Sequence, residues 1–123
     1  MNIFYIIFIF LFIGSSDVLA LEIVSVEQPE YRHVLKNPAE KVHFPLSKAD
    51  KELIAAMKDK LQGLGGVGLA APQVNISKKI IAIYIPEEAR LLRDNVKSLY
   101  PMHIMINPTY EPVSGSDLYY DFE

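Results

Sequence analysis

Apolar and polar positions follow a different rhythm in each part of the chain, and each rhythm predicts a different element. Ile3 to Ile13 is an unbroken apolar run. It is shorter than the roughly 20 residues that a membrane-spanning helix requires, and it leads into Gly14, Ser15, Ser16 and then Val18-Leu19-Ala20. Small residues at Val18 and Ala20 behind an apolar stretch are the pattern of a secretory leader. Residues 1–20 are therefore expected to be a signal peptide cleaved after Ala20, or a hydrophobic leader kept as an anchor. No Lys or Arg precedes the run, so a misassigned start is the third reading. No stable membrane span is expected once the leader is cleaved.

Polarity returns at Leu21, and Leu21 to Val26 alternates as a short strand does before Pro29 interrupts it. Pro29, Pro38 and Pro45 each fix φ and remove a backbone donor, which predicts irregular structure from Glu30 to Pro45. Ser47 with Asp50 three residues on is a helix-capping pair, and Leu53, Met57, Leu61 and Leu64 recur at helical spacing with Ile54 beside them. Gly63 is expected to close that helix in a left-handed conformation. Lys51, Glu52, Lys58, Asp59 and Lys60 then form its solvated face. Lys79 to Ile85 reads as a strand with apolar residues on both faces, so both are expected to be covered. The charged stretch between Pro86 and Pro101 reads as a surface loop, and His103 to Ile106 as a second strand ended by Asn107-Pro108. Tyr110 to Val113 and Leu118 to Phe122 flank Ser114-Gly115-Ser116-Asp117 as the arms of a hairpin would. The sum is one α+β domain over residues 21–123, an amphipathic helix packed on short, mostly antiparallel strands.

Composition narrows the function more by exclusion than by indication. The 123 residues are 50% hydrophobic and 22% charged, as in a globular protein. A net charge of -3 and a pI near 5.6, without any basic cluster, give nothing to attract a phosphate backbone, so nucleic acid is excluded as a partner. There is no cysteine, hence neither a disulfide nor a thiolate metal ligand. His33, His43 and His103 lie in separate segments, without the spacing of a metal site.

One string carries chemistry: Gly66-Val67-Gly68-Leu69-Ala70-Ala71-Pro72-Gln73. Small residues crowd a short extended stretch, so its backbone can lie close to a ligand and pair with it as an added strand would. Gln73 behind Pro72 offers a neutral amide that could polarise a carbonyl oxygen. The overlapping Gly63 to Gly68 segment also fits G-x-G-x-x-G. Its context is reversed, because a dinucleotide loop follows a strand and opens a helix, whereas this segment follows a helix and leads to a strand.

The octamer resembles the first signature of the peptide deformylases, Gly-x-Gly-x-Ala-Ala-x-Gln, at every fixed position, and the resemblance extends over the amphipathic helix before it and Met105-Ile106-Asn107-Pro108 after it. The resemblance implies hydrolysis of the N-formyl group from formylmethionyl peptides, with Fe(II) or Zn(II) in the complete family domain. It assigns Gln73 the catalytic role of donor to the formyl oxygen, and Val67, Gly68 and Leu69 the pairing with the substrate backbone. The family draws its metal ligands from Glu-Gly-Cys-Leu-Ser and from His-Glu-x-x-His. Here the sequence reaches Glu123, which matches the opening glutamate of the first of these, and neither the cysteine nor a His-Glu-x-x-His occurs.

The expectation is therefore an incomplete deformylase-like domain with no metal ligands or cofactor of its own and no deformylase activity by itself. Ile81, Ile83 and Met105 should be left under-covered, and the chain should be prone to aggregate. The competing reading is a non-catalytic exported peptide-binding protein. An authentic leader implies an exported or periplasmic location, and a misassigned start a cytoplasmic one.

Overall fold

The computed structural model describes residues 19–112. The apolar leader and most of the expected hairpin beyond Tyr110 lie outside the described residues.

The longest element is helix α2, Lys48–Leu64. Ser47 stays extended and its Oγ accepts from the Asp50 N–H at 3.0 Å, which satisfies one of the donors that a helix start leaves open. Leu53, Ala56, Met57 and Leu61 fall on one side and are buried, with Met57 and Leu61 at 0% exposure. Two details differ from the sequence expectation. The left-handed residue that stops the helix is Gly65 (φ 64°) rather than Gly63, which lies inside the helix. Leu64, the last helical residue, remains 49% exposed because the apolar stripe has run past the sheet it packs on.

Three strands follow, β1 (Gly68–Ala70), β2 (Ile80–Ile85) and β3 (Tyr100–Ile106), forming one antiparallel sheet in the order β1-β2-β3. The register places Leu69 opposite Ala82 and Ala82 opposite Ile104, so these residues share one face with Ile80 and Ile106. Helix α2 packs on that face. Val42, Leu53, Met57, Leu61, Leu69, Ala71, Val74, Ile80 and Ala82 close the core there. The other face carries Gly68, Ala70, Ile81, Ile83, His103 and Met105. It is not covered as fully: Ile81 and Ile83 are half-buried and Met105 is 39% exposed.

The chain before α2 differs most from expectation. Leu21 to Val26 forms no strand. Its backbone makes one bond to the body of the fold, from Val24 N–H to the Gln73 carbonyl at 2.9 Å, and a single bond does not make a ladder. Within the irregular proline-rich region, a 3-10 turn at Pro29–Tyr31 leads into the short helix α1, Arg32–Lys36, which buries Val34. The stretch read as a loop after β2 contains one helical turn, α3, Ala89–Leu92. Strand β3 starts three residues before His103, at Tyr100.

Two long-range contacts fasten this arm to the sheet. Glu40 bridges to the segment before β2, with Glu40 N–H donating to Ser77 O and Lys79 N–H to Glu40 O. Asn107, in a left-handed conformation at the end of β3, uses its side chain as a strand would: its Oδ1 accepts from Val42 N–H at 2.7 Å and its Nδ2 donates to Val42 O at 2.9 Å. Beside the Glu40 bridge, Lys78 pairs with Asp50 in the first turn of α2. The Lys78 ammonium outweighs the opposing effect of burial and, with help from Ser47, holds the Asp50 carboxyl below its ordinary value.

Candidate active site

Strand β1 and the 3-10 turn that follows it, Ala71–Val74, bring Gly68 and Gln73 to the same side of the sheet. Pro72 sits in the first part of that turn, where a missing N–H costs nothing, and Asn75 ends it in a left-handed conformation. The turn thus lifts Gln73 onto the surface just past the end of β1, where its side chain is exposed.

Among the described residues β1 has a strand neighbour on one side only. The Val67 carbonyl accepts from Tyr84 N–H at 3.0 Å, so Val67 faces β2. In an antiparallel ladder the direction alternates residue by residue, which turns Leu69 toward β2 and both Gly68 and Ala70 toward the open edge. The Ala70 N–H confirms this, because it points outward and donates to Gln73 Oε1 at 2.8 Å.

That bond fixes the chemistry of Gln73. A backbone N–H can only donate, so the atom facing it must be the amide oxygen, and the Nε2 group is directed away, with no partner for its hydrogens among the described residues. Gln73 is thereby set as a donor and not as an acceptor.

Gly68 adds a second fact. A Cβ built there would meet nothing closer than the Ala82 carbonyl oxygen, at 3.8 Å, an ordinary contact. Packing within the fold does not call for glycine at this position, and its φ is not in the left-handed region. Beside Ala70 and Pro72 lies an apolar hollow of about 210 Å³, closed by Ile80, Ile81 and Pro108. A larger hollow of about 610 Å³ lies at Lys41, His43, Asp50 and Lys78, lined by no residue of β1 or of the turn after it. Asp50 and Lys78 on its wall already pair with each other, so the smaller hollow, lined by Ala70 and Pro72, is the better candidate for a ligand group.

Of the residues singled out from sequence, the structure brings Gly68 and Gln73 together at the open edge. Val67 flanks them with its carbonyl committed to Tyr84, and the Leu69 side chain is buried in the core. Ala70 was missed as a participant. Its alanine side chain gives no signal, and what counts is the direction of its N–H, which only the strand pairing reveals.

Iron or zinc does not fit the donors present. Among the described residues no three His, Cys, Asp or Glu side chains converge as a metal site would need. His103 has Nδ1 2.7 Å from the Pro101 carbonyl and its ring against Tyr100, while His33 and His43 lie on other segments.

The family model for polypeptide deformylase matches residues 20–123. The chain belongs to the polypeptide deformylase family. Among its curated relatives, peptide deformylase 2 of Rickettsia conorii is 40% identical over 114 residues, covering 90% of this chain and 55% of the relative. The peptide deformylase of Staphylococcus epidermidis is 36% identical over 97 residues, covering 69% of this chain and 49% of the relative. The chain thus spans about half the length of these deformylases. Solved deformylases are similar in fold. A class I type b peptide deformylase from Acinetobacter baumannii with Met-Ala-Ser bound aligns at a TM-score of 0.65 and 26% identity, over 80% of this chain and 59% of that one. The peptide deformylase of Ehrlichia chaffeensis aligns at 0.60 and 26%, over 79% and 52%. No helix among the described residues is long and apolar enough to cross a membrane.

Proposed function

We propose that the open edge of β1 docks the N-terminal end of a peptide, a formylmethionyl peptide in keeping with the deformylase family, and that Gln73 Nε2 donates to its terminal carbonyl. The observation that carries this reading is the bond from Ala70 N–H to Gln73 Oε1, which leaves a donor of fixed direction beside a strand edge that has no partner among the described residues. The glycine at position 68, unneeded by internal packing, leaves room for a chain to approach. The hollow at Ala70 and Pro72 can take an apolar side chain next to the carbonyl. In the similar Acinetobacter baumannii deformylase the bound molecule is Met-Ala-Ser.

By itself this 123-residue chain is proposed to bind such a peptide without hydrolysing it. A single oxyanion donor is worth about 3–4 kcal/mol, against the 8–23 kcal/mol or so by which enzymes lower a barrier. The complete family obtains the remainder with a bound metal, for which the described residues of this chain provide no ligand set.

The test is a titration of the purified chain with formyl-Met-Ala-Ser, followed through backbone amide NMR signals. Saturable shifts are expected at Gly68, Ala70 and Gln73, with Gln73→Ala weakening binding about tenfold, the worth of one hydrogen bond. Formate release should stay at the buffer rate with Fe(II) or Zn(II) added. Turnover under those conditions would overturn the non-catalytic part of the reading, and absence of saturable shifts would overturn the docking edge itself.

A further inference from the structure

We propose that the hollow at the C-terminal end of α2 is a binding site for a guanidinium group on an aliphatic stem, the chemistry of an arginine side chain. Gln73 does not line this hollow, and the proposal stands whether or not β1 docks a peptide.

The last turn of a helix leaves carbonyls without partners inside it, and the helix dipole places partial negative charge there. The short helices of this chain close that end from the backbone: Asn37 N–H donates to His33 O after α1, and Arg93 N–H to Ala89 O after α3, each at 3.1 Å. The much longer α2 does not. Gly65 turns left-handed after Leu64, yet among the described residues no backbone N–H reaches back to the carbonyls of Leu61 to Leu64. Nor does a Lys, Arg or His stand in the last turn to answer the dipole.

A hollow of about 270 Å³ opens at this end of α2. Gln62, Gly65 and Gly66 border it from the helix and its cap, and Tyr84, Pro86 and Glu88 from β2 and the chain after it. It is lined by one carboxylate and by no basic side chain. Glu87 is paired with Arg90, whereas the neighbouring Glu88 has no ion-pair partner among the described residues. The hollow at Asp50 is different, because Lys78 neutralises the acid there. Here the Glu88 carboxylate, the Gln62 amide oxygen and the open carbonyls of α2 are all acceptors, and together they call for a cation with several donors. A guanidinium meets that call better than an ammonium, since its donors form a planar fork and it is more weakly hydrated. Leu61 and Pro86 in the wall suit the methylenes of its stem, and the Tyr84 ring suits a flat cation.

The test titrates the full chain with N-acetyl-arginine amide and with its uncharged look-alike, N-acetyl-citrulline amide, followed through backbone amide NMR signals. The arginine compound should give saturable shifts at Gly65, Gly66 and Glu88, weakened by added salt, and the citrulline compound should give none. Glu88→Gln should weaken the arginine compound about threefold, the worth of an exposed ion pair. Gln62→Lys sets a cation of the chain's own at the same helix end, so it should abolish binding and raise the thermal midpoint of the ligand-free protein. Both positions are exposed, so neither substitution opens the core. Equal binding of the citrulline compound, or affinity for the arginine compound unchanged by Gln62→Lys, would overturn the proposal. Tighter binding of N-acetyl-lysine amide would overturn the choice of guanidinium. Agmatine tells the sources apart: binding as tight as that of the arginine compound points to a small free guanidine, and weaker binding to an arginine residue of a peptide.

Discussion

The two faces of the sheet are made of much the same residue types and end in different states. On one face Ile80, Ala82, Leu69 and Ile104 lie in or against a core closed by α2. On the other, Ile81, Ile83 and Met105 are equally apolar, yet the first two are half-buried and the third is exposed. Apolarity made both sets good strand formers. What separates them is whether an element reaches them, and α2 has a single apolar stripe, so it can cover one face.

This contrast can be broken most strongly at the centre of the covered face. Leu61→Ala removes a fully buried side chain and should destabilise the fold by about 2–5 kcal/mol, read as a lower urea midpoint at unchanged slope. A smaller effect, confined to acid, should come from the pair that fastens the start of α2 to the sheet. Asp50 is held below its ordinary value of 3.8, so it contributes stability above that pH and loses it as pH falls through the lowered value. Thermal melts from pH 7 to pH 2 should show the midpoint falling below about pH 4, and Asp50→Asn should flatten that part of the profile. At the other extreme, Met105→Ser on the open face should change stability by no more than about 0.5 kcal/mol. A loss as large as that at Leu61 would mean that the second face is covered after all.

The sequence was most informative where a regular rhythm coincided with real burial. Leu53, Met57 and Leu61 at helical spacing, behind the Ser47 cap, marked α2 correctly along nearly all its length. Ile80 to Ile85 likewise marked the central strand. Long-range contacts were the least legible, since each depended on a distant partner. Leu21 to Val26 alternates like a strand, but among the described residues no neighbour pairs with it beyond one carbonyl of Gln73. Asp50 does pair with Ser47 at the start of α2 as its spacing suggested, but that its carboxylate also engages Lys78, 28 residues away, was not legible. The candidate site was legible as composition, in Gly68 and Gln73, but its working part was not. Which way the Gln73 amide faces is set by Ala70 N–H, and that N–H points outward only because of how β1 pairs with β2.

Asn107 carries a consequence for the order in which the molecule assembles. Its side chain supplies both hydrogen bonds that hold Val42, 65 residues earlier in the chain. During synthesis α2 can coil as soon as its own residues emerge, but the arm around Val42 must wait until position 107 has left the ribosome. The earliest-made part of the core is therefore among the last to be locked in place.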